Sequence, residues 1–282
     1  MEIMKLCGYT TPEDFPGSPA DRIQKALDAA EAEDIRKVVL RHSYTVDRTL
    51  MIPGQTEILF EEGASLTMTG EGPLFQNRIA KEEGRNSWSF EDSRIYIRHE
   101  HGTAPESPVI TGDFSFYHAS YVVLEDLKIR GTVSFEFCRE VRMERDEIFG
   151  KEQGIVLGRG CNNFILQRLK AGAEKTAVVL DTRIEQGPYV IGKDAEIHEI
   201  ILRDSEFDAE TAVFLGASDQ YGIFNAQIDH LKTSGNGVVI GCGSGLDAKR
   251  FFNLTVTDIA AGKAERVLNN AVKHCYFGAE EK

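Results

Sequence analysis

Thr211-Ala212-Val213-Phe214-Leu215-Gly216 is a short apolar phrase set between polar turns, and the chain repeats it. Related phrases stand at Gly154-Ile155-Val156-Leu157-Gly158, Ala177-Val178-Val179-Leu180-Asp181 and Gly237-Val238-Val239-Ile240-Gly241. Between them run strands of a second kind, alternating apolar and polar, over 122–129, 164–169, 200–207, 226–231 and 254–259. The phrases recur at roughly 22 to 35 residues, the period of stacked supersecondary units rather than of strands in a sandwich. Leucine-rich, ankyrin and helical-pair repeats need a helix in every unit, whereas these units are rich in Val, Ile, Phe and Thr and show no helical period. The fold expected is therefore all-β: a single-stranded right-handed parallel β-helix, a solenoid whose coils pair vertically at about 4.8 Å. Phe135, Phe137, Phe164, Phe207 and Phe214 suit a column of like residues inside it, and Asn162-Asn163 suits a tight polar corner. A β-sandwich with coincidental spacing is the alternative, and antiparallel pairing would mark it.

Composition narrows the class. The 282 residues, 41% hydrophobic and 27% charged, suffice for one continuous solenoid domain over 1–282: a cap helix at 18–33, coils over 34–270 and a cover at 271–282. A net charge of -13 opposes nucleic acid or an anionic membrane as partner, although an acidic balance also serves simple solubility. No run of about 18 apolar residues predicts a membrane-spanning helix. Met1 to Thr10 contain no apolar signal core, and the five cysteines lack paired or metal-ligand spacing. A reduced, cytoplasmic chain is expected, or a secreted one if a leader has been trimmed.

In the cap helix, Ser18 reads as N-cap, Pro19 as first residue and Asp21 as the carboxylate at the N-terminus. Ile23, Ala26, Leu27 and Ala30 form its apolar face, and the helix should end near Glu33 and close the first coil. Strand phrases follow at Lys37-Val38-Val39-Leu40, Tyr44-Thr45-Val46, Leu50-Met51-Ile52-Pro53-Gly54, Glu57-Ile58-Leu59-Phe60 and Ala64-Ser65-Leu66-Thr67-Met68. This order, over residues 18 to 68, resembles the opening of pectin-lyase-like β-helix proteins, and among them the polygalacturonase type, glycoside hydrolase family 28.

Residues 71 to 112 are irregular, and long loops on a solenoid often wall a groove. Asn86, Trp88, His99 and His101 are candidates to line a sugar site there, with Trp88 either a stacking platform or an anchor for the loop. Residues 182 to 197 interrupt the rhythm and read as an excursion beside the groove.

Carboxylates beside a repeated strand fall into vertical files, and neighbouring files place them about 5 to 10 Å apart, the separations used by glycosidases. Glu152, Glu174, Asp181, Asp208, Glu210 and Asp219 flank that strand, although acidic turns are common on any solvated surface. The resemblance aligns Gly235-Asn236-Gly237 with the family's Gly-His-Gly segment, with Asn236 in place of the histidine. It puts Asp208-Ala209-Glu210-Thr211 at the paired aspartates and Ala173-Glu174-Lys175-Thr176 at the Asn-Thr-Asp motif, where no aspartate is kept. Arg266 falls near an Arg-x-Lys pair whose lysine is missing.

Three readings follow. One is a divergent glycoside hydrolase with Glu210 and Asp181 or Asp208 as acid and base, Asn236 on a sugar hydroxyl and Arg266 on a substrate carboxylate; Glu174, Lys175 and Trp88 would add substrate contacts. Another is a uronate lyase using calcium and Lys175, Arg183 or Lys193 as base. The last is a non-catalytic carbohydrate-binding or assembly protein. No nucleotide cofactor and no metal is expected for the hydrolase; the partner is a poly- or oligosaccharide.

Overall fold

The computed structural model describes residues 8–78, 93–100, 109–184, 195–241 and 250–261, with a further strand Tyr276–Phe277. One helix, α1 (Pro19–Ala32), precedes a solenoid of parallel strands. Ser18 and Asp21 form a reciprocal capping box with Pro19 at the first helical position, as the sequence implies. Ala20, Ile23, Ala26, Leu27 and Ala30 are buried against the first coil, so the helix closes what would otherwise be an open apolar end.

Each coil contributes to three columns. The first runs through Lys37–Leu40, Glu57–Phe60, Ile95–His99, Ser120–Glu125, Arg139–Glu144 and Asn162–Gln167. The second runs through Ser43–Val46, Ser65–Met68, Val109–Thr111, Lys128–Arg130, Glu147–Phe149 and Lys170–Gly172. In the last coils, Ile197–Asp208, Ile223–Thr233 and Phe251–Ala261 pass through both columns as single long strands and join them into one sheet of sixteen strands. The third column is a separate eight-stranded sheet, from Leu50–Ile52 to Asn236–Gly241. Every pairing between these strands is parallel, which excludes the sandwich. The four repeated phrases stack in register: Val156 lies level with Val179, Val179 with Phe214, and Phe214 with Val239.

The apolar column differs in detail from expectation. Phe75, Phe114, Phe116, Phe135 and Phe164 are its aromatic spine, with ring centroids 5.0 Å apart for Phe75 and Phe114 and 5.3 Å for Phe116–Phe135 and Phe135–Phe164. Phe207 joins the same core. Phe137 is buried but packs outside it, with Tyr117 and Ala195. Phe214 is half-buried and carries the Arg183 guanidinium 5.8 Å from its ring. Strand alternation explains this: Val213 and Leu215 take the inward positions and leave Phe214 on the outer face. Cys138 and Cys161 are small buried core residues.

Two vertical files of left-handed residues bracket the first column. Tyr121, Glu140, Asn163, Glu199, Asn225 and Asn253 have φ between 51° and 57°, and Asp126, Arg145, Arg168, Asp204, His230 and Asp258 between 49° and 60°. Each such residue costs about 1–3 kcal/mol and persists only where its surroundings over-determine it. Here the repeat does so, since successive coils turn at the same level. The Asn163 corner was legible in its residue type, and Asn225, Asn253, Asp126, Asp204, His230 and Asp258 are of types enriched at positive φ, whereas Tyr121, Glu140, Glu199, Arg145 and Arg168 carry no αL signature.

The second file forms a packed charge cluster. Glu144 is buried and gripped by Arg142, Arg145 and Arg168, and Arg145 also bonds Glu125 at 2.5 Å and Asp126 at 2.7 Å. Immediately beyond the turn, Asp146 is wholly buried, and its Oδ1 accepts the Leu127 N–H at 2.9 Å. Burial pushes its carboxyl well above the ordinary value, while that hydrogen bond works in the opposite direction. Ser205 does the same for Leu169 N–H at 3.0 Å, so at two of these turns a side chain one coil on accepts the N–H.

No helix among the described residues is long and apolar enough to cross a membrane.

Candidate functional site

The corner before the third column is set by the register Gln153, Thr176, Thr211, Asn236, one residue per coil. All four are half-buried, and they begin the strands whose apolar residues enter the core. The preceding residues, Glu152, Lys175 and Glu210, form a second file and are exposed. Backbone bonds bind the turns together: Thr211 N–H donates to Lys175 O at 2.9 Å and Asn236 N–H to Glu210 O at 2.9 Å. Gly235 is required there, because a Cβ would lie 2.0 Å from Ala209 O. At about 4.8 Å per coil, the two files offer a hydrogen-bonding surface roughly 14 Å long.

Lys175 Nζ lies 3.0 Å from Glu152, with both side chains more than 60% exposed. Asp208 ends the long strand Ile197–Asp208, is exposed, and accepts the Ser234 hydroxyl at 2.7 Å. Glu174 is exposed in the turn between Gly172 and Thr176, which stacks on the turn between Asp208 and Thr211 one coil away. The structure thus brings Glu174, Lys175, Asp208, Glu210 and Asn236 to one corner.

It does not bring Asp181 there. That residue is level with Gly216, at the opposite end of the strand, and five residues or roughly 17 Å of extended chain separate its level from that of Thr211. Asp181 is buried and held from two sides by Arg183, Nε to Oδ1 at 2.8 Å and NH2 to Oδ2 at 2.6 Å. The pairing raises the Arg183 pKa, so this arginine is no candidate base. The Asp181–Glu210 pairing is therefore not assembled, because strand ends that look adjacent in a repeat lie on opposite sides of one sheet. Asp219 is exposed, and its carbonyl is bonded by Arg250. His99 is level with Phe60 and buried, so it does not line a surface groove. Trp88, Arg266, Asn86, His101 and Lys193 lie outside the described residues.

Among the described residues one group could hold a metal ion: Asp229, His230 and Asp258, at the corner after the first column. Its imidazole already spans the two carboxylates, Nδ1 at 2.9 Å from Asp229 and Nε2 at 3.4 Å from Asp258. This group belongs to a different corner from the third-column files.

Comparison with solved structures follows the same architecture. The chain is similar to a family 28 exopolygalacturonase of Yersinia enterocolitica, at 11% identity over 95% of this chain and 69% of that one, with a TM-score of 0.58. It is also similar to PfbA, a surface adhesin of Streptococcus pneumoniae, at 12% identity over 90% of this chain and 78% of that one, with a TM-score of 0.53. What the chain shares with both is the fold, a parallel β-helix. A hydrolase and an adhesin share it, so the architecture alone assigns no reaction. No family model and no curated protein matches the sequence.

Proposed function

We propose that the protein binds a poly- or oligosaccharide along the corner before the third column, without cleaving it. The file Gln153, Thr176, Thr211, Asn236 carries this reading. Where the family resemblance implies a histidine this chain has Asn236, and the hydroxyls and amides of the file hydrogen-bond sugar hydroxyls but exchange no proton at neutral pH; Asp208 and Glu210 stand where the resemblance implies paired aspartates. Glu174, Lys175, Asp208 and Glu210 rim that file as hydrogen-bonding partners, and Trp88 and Arg266 are further candidates for sugar contact.

A second reading, hydrolysis with Glu210 and Asp208 as acid and base, is favoured by one observation: both are exposed at the same corner, on either side of Ala209. The two readings separate on a panel of plant and microbial oligosaccharides scored for binding and for product. The binding reading expects retention without product, and Asn236→Ala weakening it by up to about tenfold, the worth of one hydrogen bond. Product formed by the wild type and lost in Glu210→Gln, with binding kept, would establish the hydrolase instead. A calcium-dependent product absorbing in the ultraviolet would point to a lyase.

A further inference from the structure

Among the described residues, two grooves on the outer face of the first column share no residue with the third-column corner. The one near the N-terminus encloses about 740 Å³ and includes Arg36, Lys37, Glu57, Tyr96, Arg98 and Arg142 in its lining. The one further along encloses about 410 Å³ and is lined by amides, among them Asn163, Asn225, Gln227 and Asn253. The first is unusual for this chain. Its lining holds four cations against two carboxylates, Glu57 and Glu125, on a protein whose net charge is -13.

Its cations are also pre-positioned. Glu57 Oε1 accepts both Arg98 Nε at 2.6 Å and NH2 at 2.5 Å, while the Arg98 side chain stays 46% exposed, and Lys37 stands 3.8 Å from the same carboxylate. Arg142 is anchored by buried Glu144 while its own side chain stays 51% exposed. By register, Arg98 and Arg142 lie two coils apart, roughly 10 Å along the axis. Tyr96, two residues before Arg98 on the same strand, is 41% exposed in the file Lys37, Glu57, Tyr96, Val123, Arg142, and Val123 and Glu125 occupy the coil between the two arginines. Fixed guanidinium groups suit carboxylate or sulfate, and an aromatic face beside them suits the apolar face of a sugar ring.

We propose that this groove binds an acidic oligosaccharide, with Arg98 and Arg142 pairing with acid groups on different sugars of one chain and Tyr96 stacking on the ring beside Arg98. The small number of cations and the overall negative charge disfavour nucleic acid, whose binding depends on neutralising many phosphates. The inference is independent of the third-column reading, since the two surfaces share no residue.

The test is titration of the whole protein with a heparin-derived hexasaccharide, an oligogalacturonate of equal length and a neutral maltohexaose. Binding of either acidic ligand, absent with the neutral one and weakened by salt, is expected. Preference for sulfate or carboxylate tells which acid group is read. Arg98→Gln with Arg142→Gln should weaken binding by tenfold or more, about 1.4 kcal/mol. The double variant keeps its fold because Glu57 retains Lys37 and Glu144 retains Arg145 and Arg168. Should it unfold, Tyr96→Ala, expected to weaken binding about threefold or more, carries the same test. Equal affinity for the neutral sugar, no acidic binding by the wild type, unchanged affinity in the variants, or equal competition by single-stranded DNA overturns the proposal.

Discussion

The corner after the first column and the corner before the third both stack acids against bases, yet they are built in opposite ways. In the former, Glu144 is buried beneath three arginines and Asp146 lies wholly inside the solenoid. In the latter, Glu152, Lys175 and Glu210 stand in solvent, and a single 3.0 Å ion pair joins two of them. Desolvation makes the difference. A buried charge must be matched by partners at every coil, so the first cluster holds the turn; an exposed one is free to meet a ligand.

Removing Glu144 should break that contrast most visibly. Glu144→Ala strips Arg142, Arg145 and Arg168 of their shared carboxylate and is expected to lower unfolding free energy by about 3 kcal/mol, measured by denaturant. The partial exposure of the arginines places the loss at the low end for a buried pair.

Asp146 gives a smaller effect of opposite sign. Its raised pKa means that the folded state favours the protonated carboxyl, so its contribution is most favourable below the ordinary value of 3.8 and declines as pH rises from there toward the raised folded value. Asp146→Asn keeps an oxygen for the Leu127 N–H and removes the ionisation. It should stabilise the protein at pH 7 by roughly 1–2 kcal/mol, with less gain at pH 4. An equal gain at both pH values would show that the carboxyl does not titrate in this range.

At the exposed corner the same chemistry should cost little. Lys175→Ala is expected to change stability by about 0.5 kcal/mol, an effect that salt erases, and Glu210→Gln by less than that. A loss above about 2 kcal/mol at either site would make this corner structural and remove it as a ligand surface.

Much of the spiral is written in the sequence because each coil repeats the same inward apolar choices. Val178, Val213 and Val238 could be aligned before their pairing was known. Even the Asp146 anomaly has a signal: Leu127-Lys128-Ile129, Asp146-Glu147-Ile148 and Leu169-Lys170-Ala171 are successive copies of one phrase, with an acid at the apolar position of the second. The site was less legible. Glu174, Asp208, Glu210 and Asn236 do converge, since they precede equivalent strands, but Asp181 follows its strand and faces a different neighbourhood. Spacing along the chain does not separate the two ends of a strand from two neighbours across a coil.

The sequence by itself determined the parallel stacking, the helical lid at Pro19–Ala32 and the register of the repeated phrases, because these depend on periodic burial and local capping. Only the tertiary structure decided which charges are buried, that Phe214 faces outward and that Arg98, Arg142 and Tyr96 share a groove. Those relations join residues from different coils, and their energies depend on solvent exclusion, a property of the assembled surface that no single repeat contains.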